Sequence, residues 1–141
     1  MKMKILTAAC VLALLITAGS AWADGPKRVK FTWSGGEAVA ELNASPSAES
    51  LWAMLPVTVD FKDFNGVERI GYTKEKLSTE GAPESFTPKA GDLAIYAPWG
   101  NLSVFYKPFR ESRGLAPLGR FVEGADKIST LGGGVRIEAV K

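Results

Sequence analysis

Hydrophobic and polar positions alternate along the first ordered part of the chain. Val29, Phe31 and Trp33 stand against Lys30, Thr32 and Ser34, then Ala38, Ala40 and Leu42 against Glu37 and Glu41. A period of two marks strands buried on one face, and Gly35-Gly36 between the two runs predicts a turn, so the segment opens with a hairpin. The period changes at Ser45-Pro46, an N-cap and first-turn proline, with Glu49 suited to the positive helix start. Ala48, Leu51, Trp52 and Leu55 then share a helical face until Pro56 stops it, and Trp52 is expected to pack on the sheet. Val57, Val59 and Phe61 return to the strand period, Asn65-Gly66 is the strongest hairpin signal in the chain, and Glu68 to Tyr72 comes back. Ser78 to Lys89, rich in Ser, Pro and Gly, predicts a loop with little internal order. Leu93 to Tyr96 and Leu102 to Tyr106 predict two strands joined by the turn Pro98-Trp99-Gly100-Asn101. Arg120 to Glu123 predicts another strand, and Ala125, Ile128 and Leu131 line one face of a short helix. Gly132 to Gly134 reads as a turn, since no lysine or helix follows to make it a phosphate cradle, and Val135, Ile137 and Ala139 alternate in a last strand. The count is seven or eight strands and two helices in one domain, without an internal repeat.

Ahead of this pattern stand Lys2 and Lys4, the apolar run Ile5 to Ala18, and Ala21-Trp22-Ala23 before Asp24. That is the layout of a secretory signal, which predicts residues 1–23 as signal peptide and 24–141 as the mature domain, periplasmic or secreted. The mature chain is expected to begin at Asp24 by mass spectrometry; a mass that retains Cys10 overturns the assignment. An uncleaved N-terminal anchor is the alternative. No later segment approaches the roughly 20 apolar residues of a membrane span, so stable membrane insertion is not expected. Without Lys2 and Lys4, the 17 Lys plus Arg of the chain fall to 15, matching 15 Asp plus Glu, so the basic balance belongs to the signal. With no long basic run, nucleic acid is not an expected partner. The chain has no His, and its one Cys lies in the signal. Disulfides, the commonest transition-metal ligands and the commonest general base are therefore missing from the mature form, and no metal or cofactor is expected.

Three stretches carry a resemblance. Pro46-Ser47-Ala48-Glu49-Ser50-Leu51-Trp52-Ala53-Met54-Leu55 resembles the P-x-T-x-x-N-F-x-x-L helix of cyclophilins, Ser103-Val104-Phe105-Tyr106 their S-Q-F-F strand, and Gly119 to Ile128 their G-K-V-x-E-G helix entry. Closer still is the resemblance to a small bacterial cyclophilin-like family. Its F-N-G-x-E-[KR]-I-x-Y, G-D-x-x-x-Y-x-P-W-G-N-L-x-x-F-Y-K and G-L-x-x-L-G-[KR] stretches fall on Phe64 to Tyr72, on Gly91 to Lys107 with Tyr96 one place nearer the Gly-Asp, and on Gly114 to Arg120. The resemblance implies a mostly β fold, a closed antiparallel cyclophilin-like barrel of about eight strands capped by two short helices. It supplies no biochemical function.

True cyclophilins are peptidyl-prolyl isomerases with an arginine in an F-H-R-I strand. In Val67-Glu68-Arg69-Ile70 only the Arg-Ile pair is kept, so the resemblance makes Arg69 the residue that would inherit the catalytic role. Tyr106 falls where the second S-Q-F-F phenylalanine floors the pocket, Val104 replaces the glutamine, and Leu115 stands roughly where the family's histidine would be. The Q-G-G-D stretch and the tryptophan of W-L-x-G-x-H are absent. Arg69 has an alternative as a strand residue paired with a carboxylate, and Phe105 as ordinary barrel core. Trp99, at a turn tip, either folds back on the barrel or waits for a partner. Phe105 to Arg110, leading into Glu111 to Gly114, is the other candidate wall of a groove. The expected role is a binding module for a peptide, protein segment or small ligand at Trp99, Tyr106, Leu115 and Arg69; the alternative is a weak prolyl isomerase using Arg69.

Overall fold

A computed structural model of the chain describes residues 25–141, so the expected signal segment and its cleavage site lie outside the described residues. The strands are β1 (Arg28–Trp33), β2 (Gly36–Leu42), β3 (Val57–Val59), β4 (Phe61–Phe64), β5 (Glu68–Gly71), β6 (Ser85–Phe86), β7 (Asp92–Tyr96), β8 (Asn101–Phe105), β9 (Ser112–Arg113), β10 (Leu115–Glu123) and β11 (Val135–Ala139). Helix α1 covers Pro46–Ala53, and a 3-10 helix covers Ala125–Thr130. Nine strands form one antiparallel sheet in the order β3-β11-β1-β2-β10-β7-β8-β5-β4. Its two edge strands are consecutive in the chain and meet at Asp60, so one bent segment carries both edges and draws the sheet into a nearly closed barrel. Two bonds hold the bend against the turn before β11: Phe61 N donates to Gly132 O (2.8 Å) and Gly134 N to Asp60 Oδ1 (2.7 Å).

The alternation read from the sequence is the alternation that builds the core. Val29, Phe31, Ala38, Ala40, Leu93, Ile95, Leu102, Val104 and Ile137 are all essentially inaccessible and point into the barrel. Phe31 packs edge-on to Phe121, with ring centroids 5.0 Å apart. Ser45 caps α1 by accepting from Ala48 N at 3.1 Å. The helix seats Ser47, Ala48 and Leu51; Trp52 lies at the margin, half-buried, with Lys27 Nζ 5.6 Å from its ring centroid. At the other end Trp33 Nε1 donates to Thr130 Oγ1 (3.1 Å), tying the 3-10 helix to β1.

The barrel is mostly β as expected, but it has eleven strands, nine in the main sheet and two in a ribbon, against the seven or eight counted, for identifiable reasons. Asp60 divides what reads as one strand into β3 and β4, because its two halves pair with different neighbours, β11 and β5. The segment read as a featureless loop contains β6, which pairs with β9 in a two-stranded ribbon. β10 begins at Leu115 rather than Arg120, with Pro117 and Gly119 at a register shift against β7. Proline lacks a ladder donor, which hides such a strand from propensity. The closing helix is 3-10, and Gly124 enters it at φ 71°.

Candidate functional site

β7 and β8 are buried on both faces, which a barrel strand with one solvated side would not be. The segments that flank these two strands explain it, since the β6–β9 ribbon and Phe109 fold over the outer face of the sheet. Beneath them Ala94, Phe105 and Leu115 form a second apolar cluster, joined by Val67, Phe86, Tyr96 and Phe109. Phe105 is therefore buried outside the barrel rather than in its core.

Register places the outward side chains in rows. Phe64, Glu68 and Phe105 are partners across β4, β5 and β8; Ile70, Ser103 and Ala94 across β5, β8 and β7; Asn101, Tyr96 and Leu115 across β8, β7 and β10. Where the covering segment leaves these rows open, a cleft of about 500 Å³ remains. Its floor is Ile70, Phe105 and Leu115, with Glu68 and Asn101 set into it. One wall is Phe64, Tyr96 and Trp99; the other runs from Phe109 to Arg113.

Trp99 reaches the cleft because its turn is short and tightly bonded: Trp99 N and Gly100 N both donate to Tyr96 O, at 3.2 and 2.7 Å. Gly100 adopts φ 75°, which a residue with a Cβ tolerates poorly. The indole stands nearly perpendicular to Phe64 (5.3 Å, 89°) and to Tyr96 (5.3 Å, 81°), yet it stays 48% exposed. Trp99 thus packs against two rings and leaves the rest of its indole to solvent. The opposite wall is braced by charge. Arg113 Nη2 donates to Glu84 Oε2 (2.8 Å), Ser85 donates to Glu111, and the Arg110 guanidinium carbon lies 4.5 Å from the centre of the Phe109 ring.

Of the four residues singled out from the sequence, the structure brings Trp99 and Leu115 into this cleft. It does not bring Arg69 or Tyr106 there. Successive strand residues point to opposite faces, so with Glu68 and Ile70 outward Arg69 turns inward, as Tyr106 does after Phe105. Arg69 Nε lies 3.7 Å from Asp63 Oδ1, and the Tyr106 hydroxyl donates to the same carboxylate. Tyr106, the Gly66 N–H (2.9 Å) and the charges of Arg69 and Lys107 together hold the Asp63 carboxyl below its usual value, and the Tyr106 phenol is raised in return. Arg69, Asp63 and Tyr106 thus form a separate cluster on the far side of the sheet.

Glu68 and Asn101 were not singled out by sequence reasoning. The available signal was polar parity, because in Asn-Leu-Ser-Val-Phe the polar residues occupy alternate positions and mark the face that Phe105 also shares. Asn101 is 1% exposed; its Nδ2 donates to Leu102 O (2.9 Å) and Ser103 Oγ (3.0 Å), while Oδ1 accepts nothing. Glu68 is half-buried. Desolvation raises its pKa, with the Asp63 charge adding to the rise and a hydrogen bond from Ser103 opposing it. A raised carboxyl pKa means that folding is penalised by ionisation: the penalty is absent below the unfolded value of about 4.3 and complete above the folded one. Glu68→Gln is accordingly expected to stabilise the protein at neutral pH and to lose that advantage in acid. Denaturant melts at about pH 7 and about pH 3.5 test it; an advantage that is as large in acid contradicts the assignment. Among the described residues no group of three or more His, Cys, Asp or Glu is placed to hold a metal ion, and no helix is long and apolar enough to cross a membrane.

The model of the cyclophilin-like family matches residues 31–139. The solution structure of a hypothetical protein from Archaeoglobus fulgidus is similar to this fold, with a TM-score of 0.62 at 18% sequence identity over 82% of this chain and 95% of that one. Among curated proteins none matches the chain.

Proposed function

The chain belongs to the cyclophilin-like family, and from that premise we propose that it is an exported binding module whose ligand, a peptide, a protein segment or a small molecule, enters the cleft between Trp99 and the Phe109–Arg113 wall. Export rests on the N-terminal pattern of Lys2, Lys4, an apolar run and Ala21-Trp22-Ala23. Binding rests above all on Asn101: a carbonyl oxygen without a donor, on a residue that is 1% exposed, is set into an aromatic cleft of about 500 Å³. A buried acceptor that no protein group answers costs about 1–3 kcal/mol, which a ligand bringing a donor offsets. Few convergent polar groups in an apolar cleft of this size are what small-molecule and side-chain recognition uses. NMR titration of the labelled protein with fragment and peptide collections tests the proposal. Binders should move resonances of Trp99, Asn101 and Leu115 together; binders that shift only residues elsewhere refute the site.

Isomerisation through Arg69 is the weaker reading. Stabilising a twisted amide requires a donor at the substrate, and Arg69 lies across the sheet from the cleft, beside Asp63. On a standard Ala-Pro peptide the rate is expected to fall several orders of magnitude short of a true cyclophilin, each lost ~1.4 kcal/mol of transition-state binding costing tenfold. A rate equal to that of a cyclophilin would make this an enzyme after all.

A further inference from the structure

Resting on that binding function, we infer that the ligand is a small organic cation, an ammonium group carried on an apolar stem, with its charge at Glu68 and its stem between the aromatic rings. Two acceptors stand in the floor of the cleft, the Glu68 carboxylate and the Asn101 amide oxygen. Glu68 has no ion pair among the described residues, and Lys62, on the same face of β4, makes none with it. Asn101 spends both hydrogens of its amide on Leu102 and Ser103, which leaves only its oxygen to offer. Of the cations in the lining, Arg113 is held by Glu84 outside the cleft, and Arg110 rests on the Phe109 ring. The lining itself is balanced, Glu68 and Glu111 against Arg110 and Arg113, and Glu84, which pairs with Arg113 from outside it, adds one negative charge to the neighbourhood. An anionic ligand would meet a half-buried carboxylate and an unpaired carbonyl oxygen; a cation meets its complements.

The aromatic wall favours the same occupant. Trp99 packs at 89° to Phe64 and 81° to Tyr96 and stays 48% exposed, so the wall offers apolar ring surface to the stem. A small compound fits better than an extended peptide. In the floor, β5, β8, β7 and β10 each pair with a strand on both sides, so no free main-chain edge is available there to hold a peptide by strand addition. What reaches Glu68 and Asn101 must be as narrow as a side chain, and a cleft of about 500 Å³ suits a ligand of that size.

Three probes with one stem, n-hexylammonium, 1-hexanol and hexanoate, test the charge alone, read by NMR shifts of the Trp99 indole and the Asn101 amide. Hexylammonium is expected to bind about tenfold more tightly than hexanol, and hexanoate more weakly than either. Glu68→Gln should reduce the preference for the cation over hexanol to within about twofold. If hexanol or hexanoate binds in the cleft as tightly as hexylammonium, or if the preference survives Glu68→Gln, the cation assignment is overturned while the binding function stands. If none of the three moves the resonances of Trp99 or Asn101, the cation assignment falls, and the binding function falls with it only if the fragment and peptide collections also leave those resonances unmoved.

Discussion

Gly119→Ala is expected to cost the fold about 3 kcal/mol or more, lowering the melting temperature by over about 10 °C or preventing accumulation of folded protein. β10 lies between β2 and β7, and at Gly119 it is paired with Leu42 on one side and Leu93 on the other. A methyl group there would overlap the Glu41 carbonyl oxygen and stand 2.9 Å from Glu41 C and Leu42 Cα. These are backbone atoms of a paired strand, and they cannot swing aside as a side chain does. Asn43 clamps the same point from two directions, its N donating to Leu118 O (2.8 Å) and its Nδ2 to Pro117 O (2.9 Å). Gly100→Ala serves as the comparison, since a Cβ there meets nothing within 4 Å and pays only for its φ of 75°. Thermal melts check both. A Gly119→Ala protein melting within about 2 °C of the parent would mean that β2 and β10 approach less closely than described.

Trp99→Ala is expected to weaken ligand binding about 30-fold or more, the loss of about 2 kcal/mol that marks a buried aromatic anchor, while leaving the protein folded. The indole is half exposed before binding and stands against Phe64 and Tyr96, so a ligand that covers it gains its remaining surface at little cost in ordering. Val122→Ala is the control, because Val122 is 46% exposed and does not line the cleft. Titration of any ligand from the screen against parent, Trp99→Ala and Val122→Ala decides it: equal losses in both variants, or none in either, remove Trp99 from the site. Tyr106→Ala distinguishes the two faces of the sheet. It should disturb the Asp63 cluster and leave affinity nearly unchanged.

Much of the barrel was legible without coordinates because burial on one face imposes a period of two, and Phe31, Ala40, Leu102, Val104 and Ile137 obey it. Asn65-Gly66 and the Ser45 cap were legible for a still more local reason: each satisfies its geometry within four residues. Pro117 concealed the first half of β10, and β6 and β9, two residues each, have no periodicity to detect. The candidate site was legible only in its parts. Trp99 and Leu115 could be singled out by residue type and resemblance, but Arg69 and Glu68 are neighbours in a strand, and a one-residue difference in facing decides which of them meets the ligand.

The sequence by itself determined the family, the periodic strands of the barrel, the absence of Cys and His from residues 24–141 and the turn that presents Trp99, since all of these depend on composition or on contacts between near neighbours. Only the tertiary structure decided that Glu68 rather than Arg69 faces the cleft, that Tyr106 turns to Asp63, and that Asn101 is buried with an unanswered oxygen. Those facts arise where β4, β5, β8, β7 and β10 lie side by side and the β6–β9 ribbon with Phe109 folds over them. A side chain's facing follows from the register of its strand against others far away in the chain, and its burial from what covers it; neither is written in its own neighbourhood.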